Sequence, residues 1–110
     1  MSEASNAIVV FITAPTRDEA RLLAEKLVET QLAACVQILP EMESVYRWQG
    51  KVERQPEHLL IAKTTSNRFE ELEKEVRALH SYDTPEIVAF PLTKGSPDYL
   101  RWLLESVNRS

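Results

Sequence analysis

An α+β fold is expected, with helices laid on one face of an antiparallel sheet. Three observations point to it. An uninterrupted apolar run, Ala7–Ala14, reads as a strand buried on both faces. Two segments with apolar residues at helical spacing each follow a strand. A long pair of extended segments turns back on itself at Gln49–Gly50.

Pro15 ends the first strand, and Thr16 with Glu19 forms a capping box that opens a helix over 17–30. Ala20, Leu23, Ala24, Leu27 and Val28 make its apolar stripe. A second strand starts near Ala33 and runs to Leu39; Pro40 interrupts it, and pairing resumes over Ser44–Trp48. The returning strand runs from Lys51 to Thr64, with Gly50 supplying the positive φ that a tight turn requires. Asn67 and Glu70 offer another capping box, and the following helix carries Phe69, Leu72, Val76 and Leu79 on one side, ending near His80. Tyr82–Pro85 is a turn, Glu86–Phe90 the fourth strand, and Ser96–Val107 a last helix. The order β-α-β-β-α-β plus a terminal helix is the split β-α-β, ferredoxin-like arrangement. Residues 1–6 are expected to be a flexible N-terminus and 7–110 a single domain.

Composition bounds the chemistry. The 110 residues carry 13 Lys and Arg against 17 Asp and Glu, a net charge of −4, with one cysteine, two histidines and two glycines. A chain of this length buries roughly 65% of its unfolded surface and needs no staples. One cysteine excludes an internal disulfide and a four-cysteine or two-cysteine, two-histidine zinc site. Two glycines leave no Gly-rich phosphate loop. The negative balance argues against a nucleic-acid partner. Ala7–Ala14 is too short for a membrane helix and lacks a signal peptide's basic start, so a cytoplasmic protein with no membrane partner is expected.

One feature exceeds the needs of a small domain. Taken as extended at about 3.3 Å per residue, Ala33 to Trp48 reaches roughly 53 Å. The radius of gyration of a compact domain of this size is only ~13 Å. The overhanging part carries Val45, Tyr46, Trp48 and Val52. Either the hairpin curls at Pro40 and folds back on its own core, or this exposed edge pairs with another copy of the chain; a homo-oligomer is expected.

The residues also carry a resemblance. Thr13-Ala14-Pro15 closes the first strand and Leu32-Ala33-Ala34-Cys35-Val36 opens the second. Tyr46-x-Trp48-x-Gly50-Lys51 marks the hairpin, and Leu60-x-x-Lys63-Thr64 ends the third strand. Tyr82-Asp83-Thr84-Pro85-Glu86-Ile87 precedes the fourth, and Gly95-Ser96-x-x-Tyr99-Leu100-x-Trp102-Leu103 lies in the last helix. Together, in this order, they resemble the CutA divalent-cation tolerance family over about residues 8–104. The resemblance implies a homotrimer of ferredoxin-like subunits built like the PII signalling proteins, no enzymatic activity, and a role in tolerance of divalent metals, copper among them. Copper ligands assigned in bacterial members are a cysteine just before Thr-Ala-Pro and two consecutive histidines. Here those positions are Ile12, Leu79 and His80, so only His80 is retained, and Ser81 replaces the proline that follows.

His80 and Cys35 are therefore the candidate contacts for Cu(II) or another divalent cation. The leading reading of Cys35 is nevertheless a small buried hydrophobe, and of His80 the cap of a helix C-terminus. A candidate ligand pocket gathers Trp48, Lys63, Thr64, Tyr82 and Glu86, with Lys63 and Glu86 near one edge of the sheet. Two alternatives to metal tolerance stay open: a PII-like sensor taking a small anionic ligand between subunits, and a scaffold for protein interaction. No pairing of acid with base, or nucleophile with base, stands out.

Overall fold

A computed structural model describes residues 6–108; apart from Asn6, the N-terminal segment expected to be flexible lies outside them. The elements are β1 (Ala7–Ala14), α1 (Arg17–Glu29), β2 (Cys35–Ile38), β3 (Met42–Trp48), β4 (Lys51–Thr65), α2 (Phe69–Leu79), β5 (Ile87–Pro91) and α3 (Pro97–Ser106). The sheet order is β2-β4-β1-β5, and β3 pairs with the outer half of β4. Neighbouring strands run antiparallel: β1 aligns Ala7 with Thr65 on one side and Ile12 with Ile87 on the other. This is the ferredoxin-like topology that the element order predicts.

Side-chain parity along β1 divides the two faces of the sheet. Ile8, Val10, Ile12 and Ala14 pack with Leu23, Leu27, Leu72 and Val76 of α1 and α2, so both helices cover one face. Each fully buried leucine there contributes about 2 kcal/mol of apolar transfer energy. Ala7 belongs to a second cluster with Ala34, Leu100, Leu103 and Val107, which brings α3 onto the opposite face at one end. The rest of that face is thinly covered: Phe11 meets Phe90 edge-on at 5.0 Å, and Val88, Phe90 and Trp102 stay exposed.

Local rules explain most boundaries, and three departures are informative. The Thr16 hydroxyl accepts from the Glu19 amide at 3.1 Å as expected, but the Glu19 carboxylate turns away to Ser81. The capping box at Asn67 does not form. A 3-10 turn, Ser66–Arg68, precedes α2, and Asn67 Oδ1 accepts from the Thr65 hydroxyl instead. Val28, placed in the stripe of α1 by spacing, lies at its margin and is exposed. Helix α1 closes with Gln31 at φ 60°, its amide donating to Val28 and the Leu32 amide to Leu27, the paired bonds of a Schellman motif.

The hairpin overhangs as expected but is shorter than the roughly 53 Å of a continuous extended segment, because the extended run breaks between β2 and β3. The molecule measures 45 × 25 × 23 Å with a radius of gyration of 14.6 Å. Among the described residues β3 pairs only with β4, and Val45, Tyr46, Trp48 and Val52 are all exposed. Gln49 (φ 50°) and Gly50 (φ 80°) form the turn at its tip.

Candidate functional site

Beside the hairpin, β3, Glu57 of β4 and the 82–86 loop line an open cavity of about 580 Å³. Tyr46 and Trp48 reach it from β3, Glu57 from β4, and Tyr82, Asp83 and Glu86 from the loop; no lysine or arginine among the described residues lines it. Glu57 is only 7% exposed. Its Oε2 accepts from the Tyr82 hydroxyl at 3.2 Å. Burial, and then the Glu57 charge, push the Tyr82 phenol up to about 12, so it remains a donor across the neutral range.

Behind Tyr82 sits His80. Its Nε2 lies 2.7 Å from the Thr13 carbonyl oxygen, and its Nδ1 accepts from the Tyr82 amide at 3.0 Å. These bonds assign the proton to Nε2. Glu19 Oε2 takes the Ser81 amide at 2.9 Å and hydroxyl at 3.1 Å, and lies 3.2 Å from His80 Nδ1. The network fixes the exit of α2 against β1 and thereby holds the loop that carries Tyr82.

Trp48, Tyr82 and Glu86 of the expected pocket do meet at the cavity. Lys63 and Thr64 do not line it. Lys63 Nζ donates to Gln37 at 2.7 Å and lies 6.0 Å from the centroid of the Tyr99 ring. It stands opposite Val9, whereas Ile87 stands opposite Ile12, so the Lys63–Glu86 neighbourhood is split by roughly 10 Å or more along β1. The Thr64 hydroxyl is fully buried and donates to the Leu32 carbonyl at 2.6 Å, tying β4 to the end of α1. Sequence reasoning missed Glu57, Asp83 and Tyr46. The signal for Glu57 would have been a carboxylate one step from the apolar half of β4, and it is weak.

Cys35 is half-buried beside Tyr99, with Sγ 3.7 Å from the phenol oxygen. Burial first, then Cys35, raises Tyr99 to about 12. His58 is half-buried, and its Nδ1 has no hydrogen-bond partner among the described residues.

The residues present do not fit a copper centre of one cysteine and two histidines. Ile12 is fully buried in the core, Leu79 packs against it, and both His80 nitrogens are committed to protein groups. Among the described residues no three His, Cys, Asp or Glu are grouped to hold a metal ion.

A family model described as CutA1 divalent ion tolerance protein matches residues 8–106. The divalent-cation tolerance protein CutA of Thermus thermophilus is 51% identical over 98 residues, covering 89% of this chain and 95% of that one. The chloroplastic protein CutA of Arabidopsis thaliana is 49% identical over 100 residues, which span 91% of this chain but 55% of the plant protein. Among solved structures, CutA1 from Oryza sativa superposes with a TM-score of 0.93 at 42% identity, covering 99% of this chain and 100% of that one. The Thermus thermophilus structure gives 0.91 at 49%, covering 93% and 99%. With the match spanning nearly the whole ferredoxin-like sheet and its helices, the chain belongs to the CutA1 divalent ion tolerance family.

Proposed function

We propose that this chain acts as a non-enzymatic, cytoplasmic homotrimer in the tolerance of divalent cations, copper among them, with a PII-like arrangement of subunits. The observation that carries the assembly is the hairpin: among the described residues β3 has no partner but β4, and its edge exposes Val45, Trp48 and Val52. The half-covered sheet face with Val88, Phe90 and Trp102 adds a second apolar surface. Covering both by copies of the same chain satisfies the strand edge and removes the apolar area from water.

Tolerance then acts through the assembly rather than through a copper site at His80, whose nitrogens already have partners. The anionic-ligand reading is weaker, because the cavity presents three carboxylates and no lysine or arginine among the described residues.

Sedimentation equilibrium at micromolar concentration tests the assembly. Wild-type protein is expected at three times the chain mass, and Val52→Asp at a lower mass with its fold retained. A monomeric wild type overturns the assembly. Growth of the native host in graded Cu(II), with its own gene deleted and then restored, tests the physiological half; equal growth in all strains overturns that.

A further inference from the structure

The two faces of the protruding hairpin differ in kind. Alternation along β3 and β4, together with their register, sorts the side chains between them. On the outer face Val45 stands opposite Arg54, and Arg47 opposite Val52, a block of two apolar and two cationic residues. All four are exposed. Neither arginine is firmly held. Arg54 meets Glu43 at 3.4 Å with the two side chains 67% and 66% exposed, a weak kind of pair. Arg47 reaches only the Gly50 carbonyl, at 3.5 Å. The inner face has the opposite character. Tyr46 and Trp48 line the open cavity with Glu57, and the 82–86 loop adds Asp83 and Glu86. Asp83 and Glu86 are exposed, and neither has an ion-pair partner among the described residues. Lys51, at the tip, is the one cation that alternation places on this side of β3 and β4.

We propose that the inner face of each hairpin seats the outer face of the hairpin of a neighbouring copy. Arg47 and Arg54 of one copy then meet Asp83 and Glu86 of the next, while Val45 and Val52 cover the rings of Tyr46 and Trp48. This rests on the trimer proposed above and names the surfaces that build it. A two-fold pair sets like faces together, cation on cation or carboxylate on carboxylate, which opposes association. A head-to-tail contact sets each face on its opposite, and made three times it closes a ring of hairpins. Arginine suits the seat, because a guanidinium pairs with carboxylates through two parallel bonds and also stacks on aromatic rings. The apolar area exposed on both faces leaves water in the same step.

Charge exchange tests the seating, read as chain mass by sedimentation equilibrium across a dilution series. Arg47→Glu with Arg54→Glu should raise the concentration of half-assembly by about 100-fold or more. Asp83→Arg with Glu86→Arg should do the same. The chain carrying all four substitutions should again assemble at three times the chain mass. An equimolar mixture of the two double variants should stop at two chains, because only one of its contacts is matched. Glu25→Arg, exposed on α1, should assemble as wild type. Circular dichroism on each variant checks that these surface changes leave the fold intact. Trimers in both double variants, or no recovery in the chain with all four substitutions, overturn the proposal. A monomeric wild type is a separate result, since it removes the trimer itself.

Discussion

His80 Nε2 and the Thr13 carbonyl oxygen, 2.7 Å apart, join the end of α2 to the last turn of β1. The His80 side chain is fully buried, so removing it leaves the Thr13 carbonyl and the Tyr82 amide without their partner. His80→Ala should cost about 2–4 kcal/mol in urea denaturation, read as a lower midpoint at unchanged slope. His80→Gln, whose amide can donate toward Thr13, should recover part of the loss. Copper affinity, followed in the same samples, should be the same in both variants as in wild type. A selective loss of copper binding in His80→Ala would restore the histidine as a ligand.

Tyr82 gives the stability a signature in alkaline solution. Its phenol is raised from 10.0 to about 12 in the folded chain, first by burial and then by Glu57. The folded state therefore holds this proton more tightly than the unfolded state. The contribution is fully present below pH 10 and is lost as pH rises through about 12. Denaturant midpoints should fall across that window, and Tyr82→Phe should flatten the fall. Tyr99, raised in the same sense, supplies a share that survives in that variant.

The hairpin tip offers a cleaner backbone experiment. Gly50 at φ 80° has nothing within 4 Å of where a Cβ would stand, so Gly50→Ala introduces strain without collision. A loss of about 1 kcal/mol is expected. Gln49 at φ 50° is the poorer occupant of this turn, and Gln49→Asn should gain a few tenths of that. Thermal unfolding of the two variants in parallel checks the sign of each.

Most of the fold was legible because its signals are local. The unbroken apolar run of β1 announces a strand with neighbours on both sides, and β4 and β5 supply them. The helix stripes at Leu23–Leu27 and Leu72–Val76 name the residues that fill the core. The candidate site was half legible. Trp48, Tyr82 and Glu86 come together, but Lys63 and Thr64 are successive strand residues and must face opposite sides of the sheet, so they could not both point into one pocket. Glu57 was hidden for another reason. It ends a mostly polar run, Glu53–Glu57, that reads as a solvated strand, and its partner, the Tyr82 hydroxyl, comes from a loop distant in sequence. The His80–Thr13 bond is long-range too. Local pattern carries neither.

The 15-residue span of β4 ties two events of very different entropic cost to one segment. Its first half meets β3 across a two-residue turn, a contact that closes almost no loop. Its second half must find β1, with Thr65 meeting Ala7 across about half of the chain. Pairing at short range is fast and pairing at long range is slow. The protruding hairpin is thus the easiest part of the sheet to nucleate, and once formed it presents the rest of β4 as a ready edge on which β1 and β2 can settle.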